Sequence, residues 1–182
     1  MGICDNRTVI ITGAGGGLGR AYAQAFAAEG ANVVVNDIRL ATAQAVAADI
    51  EAEGGKAIAN AGDITSMAGA QGIVDAAVTA FGEVHVLVNN AGILRDKMFI
   101  SLTEDDWDAV MRVHMKGHFC LANLLGRRWR DSAKAGNRID ARIINTSSGA
   151  GLQGSIGQSN YAAAKAGIAG LTLVQALSLI HI

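Results

Sequence analysis

The chain has 182 residues; 51% are hydrophobic, only 4% are aromatic, and 23 glycines occur without any proline. This length suits one domain whose core is built from aliphatic and small side chains. Fifteen basic and sixteen acidic residues give a net charge of -1, which excludes an overall field that would attract nucleic acid or an anionic membrane.

Strands and helices are predicted to alternate along the chain. The predicted strands are short apolar runs that end at glycine or polar residues, at positions 7–12, 33–35, 56–60, 86–88 and 142–146. The predicted helices fill the stretches between them, at positions 20–30, 41–53, 66–81, 103–129 and from 158 onward. This alternation predicts an α/β fold with a doubly wound parallel sheet, a Rossmann fold.

A glycine-rich turn at residues 13–19 follows the first strand and opens the first helix. Such a turn lets backbone amides approach a pyrophosphate at the helix N-terminus, although an isolated glycine cluster fits tight packing equally well. Asp37, which closes the second strand, favours a dinucleotide-binding turn over a packing turn, because a carboxylate there would bind ribose hydroxyls. It would also repel a 2′-phosphate, which favours NAD, while Arg20 and Arg39 leave NADP open. Asp63 would meet the adenine or cap a turn.

The chemistry is predicted in residues 148–165. Tyr161 and Lys165 lie four residues apart in an alanine-rich segment, so their side chains should share one helix face. An ammonium beside a phenol favours the phenolate, which can exchange protons near neutral pH. Ser148, across a glycine-rich loop, adds a hydroxyl that can hold a substrate oxygen. The spacing alone would fit a surface pair, and the accompanying dinucleotide motif favours catalysis instead.

Together these residues resemble the short-chain dehydrogenase/reductase family. Three motifs occur in the family's order: Thr12-Gly13-x-x-x-Gly17-x-Gly19, then Asn89-Asn90-Ala91-Gly92, then Ser148 followed by Tyr161-x-x-x-Lys165. The resemblance implies that Tyr161 is the acid/base, that Lys165 stabilises the phenolate and binds ribose, and that Ser148 holds the reacting oxygen. It implies cofactor contacts at Gly13, Gly17, Leu18, Gly19, Asp37, Asp63, Asn89, Ala91, Gly92, Tyr161 and Lys165. Asn89 is expected to support the backbone near the cofactor.

His114 departs from the family pattern, because many members carry an asparagine at this position of the long helix. The resemblance places His114 at the active site, where it would relay a proton or hold water; a structural histidine is the alternative. His114 and the runs that begin at Gly17, Val33 and Asn90 narrow the resemblance. In these features the sequence resembles the (3R)-hydroxyacyl-CoA dehydrogenases of peroxisomal multifunctional enzyme type 2 and of bacteria.

The resemblance implies an NAD-dependent oxidoreductase that transfers a hydride between NAD and a secondary alcohol or ketone. A 3-hydroxyacyl-CoA is the first candidate for this small-molecule substrate, although fold and motifs do not fix a substrate. One alternative is an NADPH-dependent reductase of 3-oxoacyl thioesters or other carbonyls. The other is a non-catalytic NAD(H)-binding redox sensor, which would have no need of an acid/base.

Residues 127–142 concentrate basic side chains. A solvated helix end explains them best, a site for acidic groups such as the phosphates of coenzyme A is weaker, and no aromatic stripe indicates nucleic acid. The basic residues are Arg127, Arg128, Arg130, Lys134, Arg138 and Arg142.

Family members continue through two more strands and a substrate lid. We therefore expect residues 1–176 to be an incomplete NAD-binding Rossmann domain, with an inert fragment as one alternative. Residues 177–182, which resemble a translated sequencing adapter, are expected to be a non-native tail. Family members commonly associate through the long helices after the fourth and fifth strands, so the intact protein is expected to be a homo-oligomer.

The two cysteines, Cys4 and Cys120, are far apart and match no metal-binding spacing. We therefore expect reduced thiols, no metal site and a cytoplasmic protein. No targeting segment and no apolar run near the length of a membrane span are predicted.

Overall fold

The computed structural model describes residues 2–137 and 139–179. Its five strands are parallel and form one sheet in the order β3-β2-β1-β4-β5. The strands are β1 (Thr8–Thr12), β2 (Asn32–Asn36), β3 (Lys56–Asn60), β4 (Val86–Asn89) and β5 (Arg142–Asn145). The helices are α1 (Gly17–Ala28), α2 (Leu40–Ala52), α3 (Met67–Phe81), α4 (Glu104–Met111), α5 (Gly117–Lys134), α6 (Gly149–Gln153) and α7 (Ser159–Leu179), with a 3₁₀ turn (Phe99–Ser101) and a π turn (Arg112–Lys116).

The central strands are buried on both faces, so their side chains divide between two cores. Ile10, Val34 and Leu87 pack with α3 and α5 on one face of the sheet. The flanking residues Val9, Ile11, Val33, Val35, Val86 and Val88 pack with α1 and α2 on the other. Alternate residues of a strand point to opposite faces, and both faces are covered by helices. The predicted doubly wound α/β fold is confirmed.

The strand order places a crevice between the carboxyl ends of β1 and β4. The chain moves outward from β1 to β2 and β3, then returns to the other side of β1 for β4 and β5. Connections diverge at this switch point, which is where doubly wound sheets bind ligands. The predicted glycine turn and the loop after β4 both open onto it.

The long helix predicted for residues 103–129 is interrupted. Its capping box forms as expected, since Thr103 Oγ1 accepts from Asp106 N (3.2 Å) and Asp106 Oδ2 accepts from Thr103 N (3.3 Å). The π turn then separates α4 from α5, which runs on to Lys134. A π turn carries one extra residue, and here the wider turn accommodates the buried ring of His114.

Helix α7 corrects one expectation from the sequence. Within residues 2–137 and 139–179 it is the one helix that is long and apolar enough to cross a membrane, judged by length and composition alone. The prediction that no such apolar run exists is wrong because Lys165 is the sole charged residue in α7. The last three residues of the tail predicted as non-native, 180–182, lie outside the described residues, and residues 177–179 continue α7. The non-native origin of the tail stays a prediction.

Candidate active site

A cleft of about 630 Å³ opens at the carboxyl ends of β1, β2 and β4. Its walls are the glycine turn, the loops after β2, β3 and β4, and the start of the π turn. Six of the predicted cofactor residues line it: Gly13, Gly17, Asp37, Asp63, Ala91 and Gly92. The sheet therefore brings together residues that are almost eighty positions apart in the sequence.

The glycine turn is shaped for the close approach of a ligand. Gly17 has a φ of +53° and open space where a Cβ would stand, so a side chain there would be strained and would fill the cleft. A Cβ on Gly19 would overlap the Gly13 carbonyl, so this glycine lets α1 pack against the turn. Leu18, in the first turn of α1, is 63% exposed.

Asp37 lies at the rim of the cleft with its carboxylate held by backbone donors. Oδ2 accepts from Gly15 N (3.2 Å) and Oδ1 accepts from Arg39 N (3.0 Å). The Arg39 guanidinium is 3.7 Å from Oδ1 and mostly exposed. Arg20 points elsewhere, into an ion pair with Asp49 (2.8 Å). Of the two arginines that kept NADP open, Arg39 is the one beside Asp37.

Asp63 and Asn89 both have structural partners. Asp63 Oδ1 accepts from Thr65 N and Thr65 Oγ1 (both 2.8 Å). These bonds hold the pKa of the Asp63 carboxyl below its ordinary value, so Asp63 caps a turn while it lines the cleft. Asn89 is buried and donates to Asn145 Oδ1 (2.9 Å), which ties β4 to β5.

Thr12 and Asn90 were missed as site residues, although both stand within the quoted motifs. Thr12 Oγ1 accepts from the backbone N–H groups of Asn90 and Ala91 (both 3.0 Å). Asn90 Nδ2 donates to the Thr12 carbonyl (3.0 Å). These reciprocal bonds fix the loop after β4 against the glycine turn, so the two walls of the cleft are joined directly.

Tyr161, Lys165 and His114 meet where α7 crosses the π turn. The Lys165 Nζ lies 5.5 Å from the centre of the Tyr161 ring, one helical turn along α7 as predicted. The His114 ring meets the Tyr161 ring edge-on, with 5.3 Å between centroids. Lys165 and His114 are 3% and 1% exposed, whereas Tyr161 is half-buried. The arrangement brings a buried ammonium and a buried imidazole beside one half-buried phenol ring.

His114 is anchored to the loop after β4. Its Nε2 lies 3.1 Å from Ile93 N and 2.9 Å from Ile93 O, so one ring nitrogen is engaged whichever tautomer is present. Burial lowers the pKa of His114, a lowering that the Ile93 backbone opposes and the charge of Lys165 reinforces. Burial also lowers the pKa of Lys165, whose Nζ donates to the Thr146 carbonyl (2.5 Å).

Ser148 stands at the start of α6, where its Oγ accepts from Ala150 N (3.2 Å). The neighbouring Ser147 Oγ donates to the Lys165 carbonyl (2.8 Å). Gly151 leaves no space for a Cβ against the backbone of Lys165. The loop that carries Ser148 is therefore packed directly against the turn of α7 that carries Lys165.

The sequence model of the short chain dehydrogenase family matches residues 7–181 of this chain. The chain belongs to the short-chain dehydrogenase family. Membership of this family implies a nicotinamide nucleotide as cofactor.

Among individual members of the family, the chain is 47% identical to hydroxyacyl-CoA dehydrogenase ChsB1 of Mycobacterium tuberculosis, over 96% of this chain and 57% of the relative. It is 46% identical to the peroxisomal multifunctional enzyme type 2 of Mus musculus, over 92% of this chain and 23% of the relative. A solved structure of a short chain dehydrogenase from Mycobacterium avium superposes with a TM-score of 0.96 and 53% identity, over 99% of this chain and 65% of that chain. The chain thus spans little more than half the length of the first relative.

A second histidine, His118, is also buried near His114. His118 lies one turn after His114 and is 1% exposed, and neither ring nitrogen has a hydrogen-bond partner in the described part of the chain. Burial lowers the pKa of His118 to about 3; the charge of Lys165 adds to this effect, and weak interactions with the backbone of His114 and of Asn89 oppose it. The i, i+4 spacing from His114 was the sequence signal that could have found it.

The basic segment does not form one open cationic surface. Arg128 pairs with Glu83 (2.8 Å), Arg130 pairs with Asp131 (2.8 Å), and Arg142 pairs with Asp140. Arg138 lies outside the described residues. These pairs agree with the solvated helix end that the sequence favoured over a site for acidic groups.

Proposed function

We propose that the protein is an oxidoreductase that transfers a hydride between NAD and a secondary alcohol or ketone, with a 3-hydroxyacyl-CoA as its substrate. The meeting of Tyr161, Lys165 and His114 beside the cleft carries this proposal. The substrate class is supported by similarity to a hydroxyacyl-CoA dehydrogenase and to a multifunctional enzyme of type 2.

The cleft fits a dinucleotide by shape and by charge. The uncapped N-terminus of α1, with Gly17 open to the cleft, would hold the pyrophosphate. Asp37 would accept hydrogen bonds from the adenosine ribose, and its carboxylate supports NAD over NADP. Bound NAD supplies the hydride acceptor; the other functions belong to the side chains of this chain.

Proton transfer is the work of the cluster on α7. In the oxidative direction the Tyr161 phenolate takes the proton of the substrate hydroxyl, which Ser148 Oγ holds by a hydrogen bond. The Lys165 ammonium stabilises the phenolate, because a buried cation interacts strongly across a region that excludes water. His114, neutral because burial lowers its pKa, can accept a hydrogen bond at Nδ1, which has no partner in the described residues.

The two alternatives make different use of these residues. A carbonyl reductase that uses NADPH would need Arg39 to bind the 2′-phosphate after Asp37 had turned aside, against the two backbone bonds that hold Asp37. A redox sensor would bind NAD(H) without any role for Tyr161. The buried ammonium beside a phenol is costly to build, and a sensor gives no reason for it.

We also propose that the intact protein is a homo-oligomer. Large apolar side chains stand exposed on α5 and α7: Phe119 (48%), Leu173 (69%), Val174 (58%) and Leu177 (73%). Exposed apolar patches of this kind mark association surfaces, and a second copy would cover them. The molar mass of the protein, measured by light scattering after size-exclusion chromatography, tests this proposal.

The cytoplasmic location stays a proposal, supported by the free thiols of Cys4 and Cys120.

The test of the proposed activity is NADH formation from (3R)-hydroxybutyryl-CoA and from 2-propanol, with NAD⁺ and NADP⁺ compared. We expect turnover of the thioester with NAD⁺. Tyr161→Phe should abolish turnover while NAD⁺ binding, measured by calorimetry, is unchanged. Tyr22→Phe, on α1, is the matched control and should be fully active. Retained turnover in Tyr161→Phe would remove Tyr161 from the reaction.

A further inference from the structure

Asn160, the residue before Tyr161, is completely buried in the first turn of α7. Its Nδ2 donates to the Arg95 carbonyl and to the Asp106 carbonyl (both 3.2 Å). Its Oδ1 accepts from the backbone N–H of Tyr161 (2.8 Å). Arg95 belongs to the loop after β4 and Asp106 to the first turn of α4. One side chain thus joins two separate segments to the backbone of Tyr161.

The partners of this amide determine its orientation. Both groups that face Nδ2 are carbonyl oxygens, and the group that faces Oδ1 is an N–H, so a flipped amide would lose all three bonds. An aspartate buried against two carbonyl oxygens would be protonated, so it would keep the acceptor and at most one of the two donors. An alanine would leave two carbonyls and one N–H without their partner. The position requires two donors and one acceptor, which asparagine provides.

Other bonds between the same segments lie at the surface. Lys97 N donates to the Gly157 carbonyl (2.9 Å), and Gln158 Nε2 donates to Asp96 Oδ2 (3.0 Å). The Gln158 bond joins the loop after β4 to the residue just before α7, yet it is exposed and does not touch Tyr161. It therefore offers a matched control for Asn160.

We propose that Asn160 is a positioning residue that fixes the phenol of Tyr161 relative to His114. This rests on the proposed function, in which Tyr161 exchanges the substrate proton. Tyr161 and Lys165 share α7, so their spacing follows from the helix itself. His114 lies on the π turn that continues α4, so its place beside Tyr161 depends on how α4 and α7 are joined. The bonds of Asn160 to Asp106 O and Tyr161 N are the hydrogen-bonded part of that junction, beside the direct packing of α7 on α4 and on the π turn.

Nuclear magnetic resonance of the full chain tests the role of Asn160 without any activity. The chain has two tyrosines, so tyrosine labelled in the ring gives two signals, and Tyr161→Phe identifies that of Tyr161. In Asn160→Ala the Tyr161 ring signal should move toward its position in unstructured peptides, since the His114 ring no longer stands at a fixed place beside it. The Tyr161 amide should exchange about tenfold faster, the equivalent of one hydrogen bond, while the Tyr22 signal stays in place.

Asn160→Asp separates the two halves of the amide. Its carboxyl group, protonated in this buried position, still accepts from Tyr161 N, so the amide should stay protected. It keeps at most one of the bonds to Arg95 O and Asp106 O, so the ring signal should move because the junction of α7 with α4 and the loop is weakened. Gln158→Ala should change neither the Tyr161 ring signal nor the exchange rate of the Tyr161 amide. If Asn160→Ala does not fold, Asn160→Asp alone decides. Ring signals unmoved in the folded variants, or an equal disturbance of Tyr22, would overturn the proposal.

Kinetics then connect the junction to turnover. With NAD⁺ and (3R)-hydroxybutyryl-CoA, Asn160→Ala should lower kcat about 100-fold, the effect of a small misplacement of a reacting group. The KM for NAD⁺ should stay within about twofold, since the part of the loop after β4 that lines the cleft is held separately by the bonds between Thr12 and Asn90. An unchanged kcat beside a moved ring signal would overturn the positioning role. If the unaltered chain forms no NADH from either probe, the proposed function fails for this chain, whereas the resonance signals still decide the role of Asn160.

Discussion

His118 should make the fold sensitive to acid, and replacing it should remove the share of that sensitivity that comes from its own titration. The imidazole is buried on α5 close to Lys165, and its pKa falls from 6.5 to about 3 in the folded chain. In the unfolded chain His118 takes up a proton near its ordinary pKa. The unfolded state therefore binds more protons between these two values, and stability rises with pH through this window.

The size of the effect follows from the same two values. The contribution of neutral, buried His118 to the free energy of unfolding is complete above the unfolded pKa of 6.5. It is lost as the pH falls toward the folded pKa of about 3. Each pH unit below the unfolded pKa costs about 1.4 kcal/mol, so the loss at about pH 5 is about 2 kcal/mol. That is a large part of the free energy of unfolding of an ordinary domain.

Urea denaturation of the unaltered chain and of His118→Leu at about pH 7.5 and about pH 5 measures this loss. Leucine has a similar volume and no titratable group, and the ring nitrogens of His118 make no well-formed hydrogen bond in the described residues, although the backbone of His114 and of Asn89 lies nearby. His118→Leu should therefore be at least as stable at the higher pH and should lose about 2 kcal/mol less on acidification. Phe119→Leu, the exposed neighbour, should keep the full acid loss. An equal loss in His118→Leu would refute the reasoning.

Three further substitutions test other contacts. Asp37→Ser should raise the relative use of NADP⁺ about 100-fold in initial-rate assays, because a like charge beside the 2′-phosphate costs several kcal/mol; an unchanged NAD⁺ preference would contradict the role of Asp37. Gly92→Ala should lower the free energy of unfolding by about 1–3 kcal/mol, since its Cβ would overlap the His114 ring. Trp129→Phe should cost about 1–3 kcal/mol, because its Nε1 donates to the buried Val84 carbonyl (2.8 Å); urea curves unchanged in either variant would contradict that contact.

The fold could be predicted because its signals are local. The run Val33, Val34, Val35 is buried on both faces, and a continuous apolar run is what such a strand requires. The glycine turn at 13–19 and Asp37 stand at strand ends, where parallel strands deliver their residues to one edge. The spacing of Tyr161 and Lys165 follows from helix geometry alone. For these features the sequence pattern and the tertiary contacts agree.

The π turn and Asn160 could not be predicted because their causes are not local. Nothing in residues 112–116 distinguishes them from ordinary helix, and the turn is known only once His114 meets the loop after β4. The bonds of Asn160 reach Arg95 and Asp106, which lie 65 and 54 positions away. Hydrogen-bond partners at such separations follow from the packed fold, not from spacing.

His114, which stands where many family members carry an asparagine, shows how such non-local causes combine. An imidazole is larger than the amide that many family members carry there, so room has to come from the surrounding backbone. The π turn widens the helix at His114, and the missing side chain of Gly92 leaves space for the ring. Both changes lie on elements that Asn160 joins to Tyr161. A histidine placed there without the glycine and the junction would displace the phenol, so the three features act together.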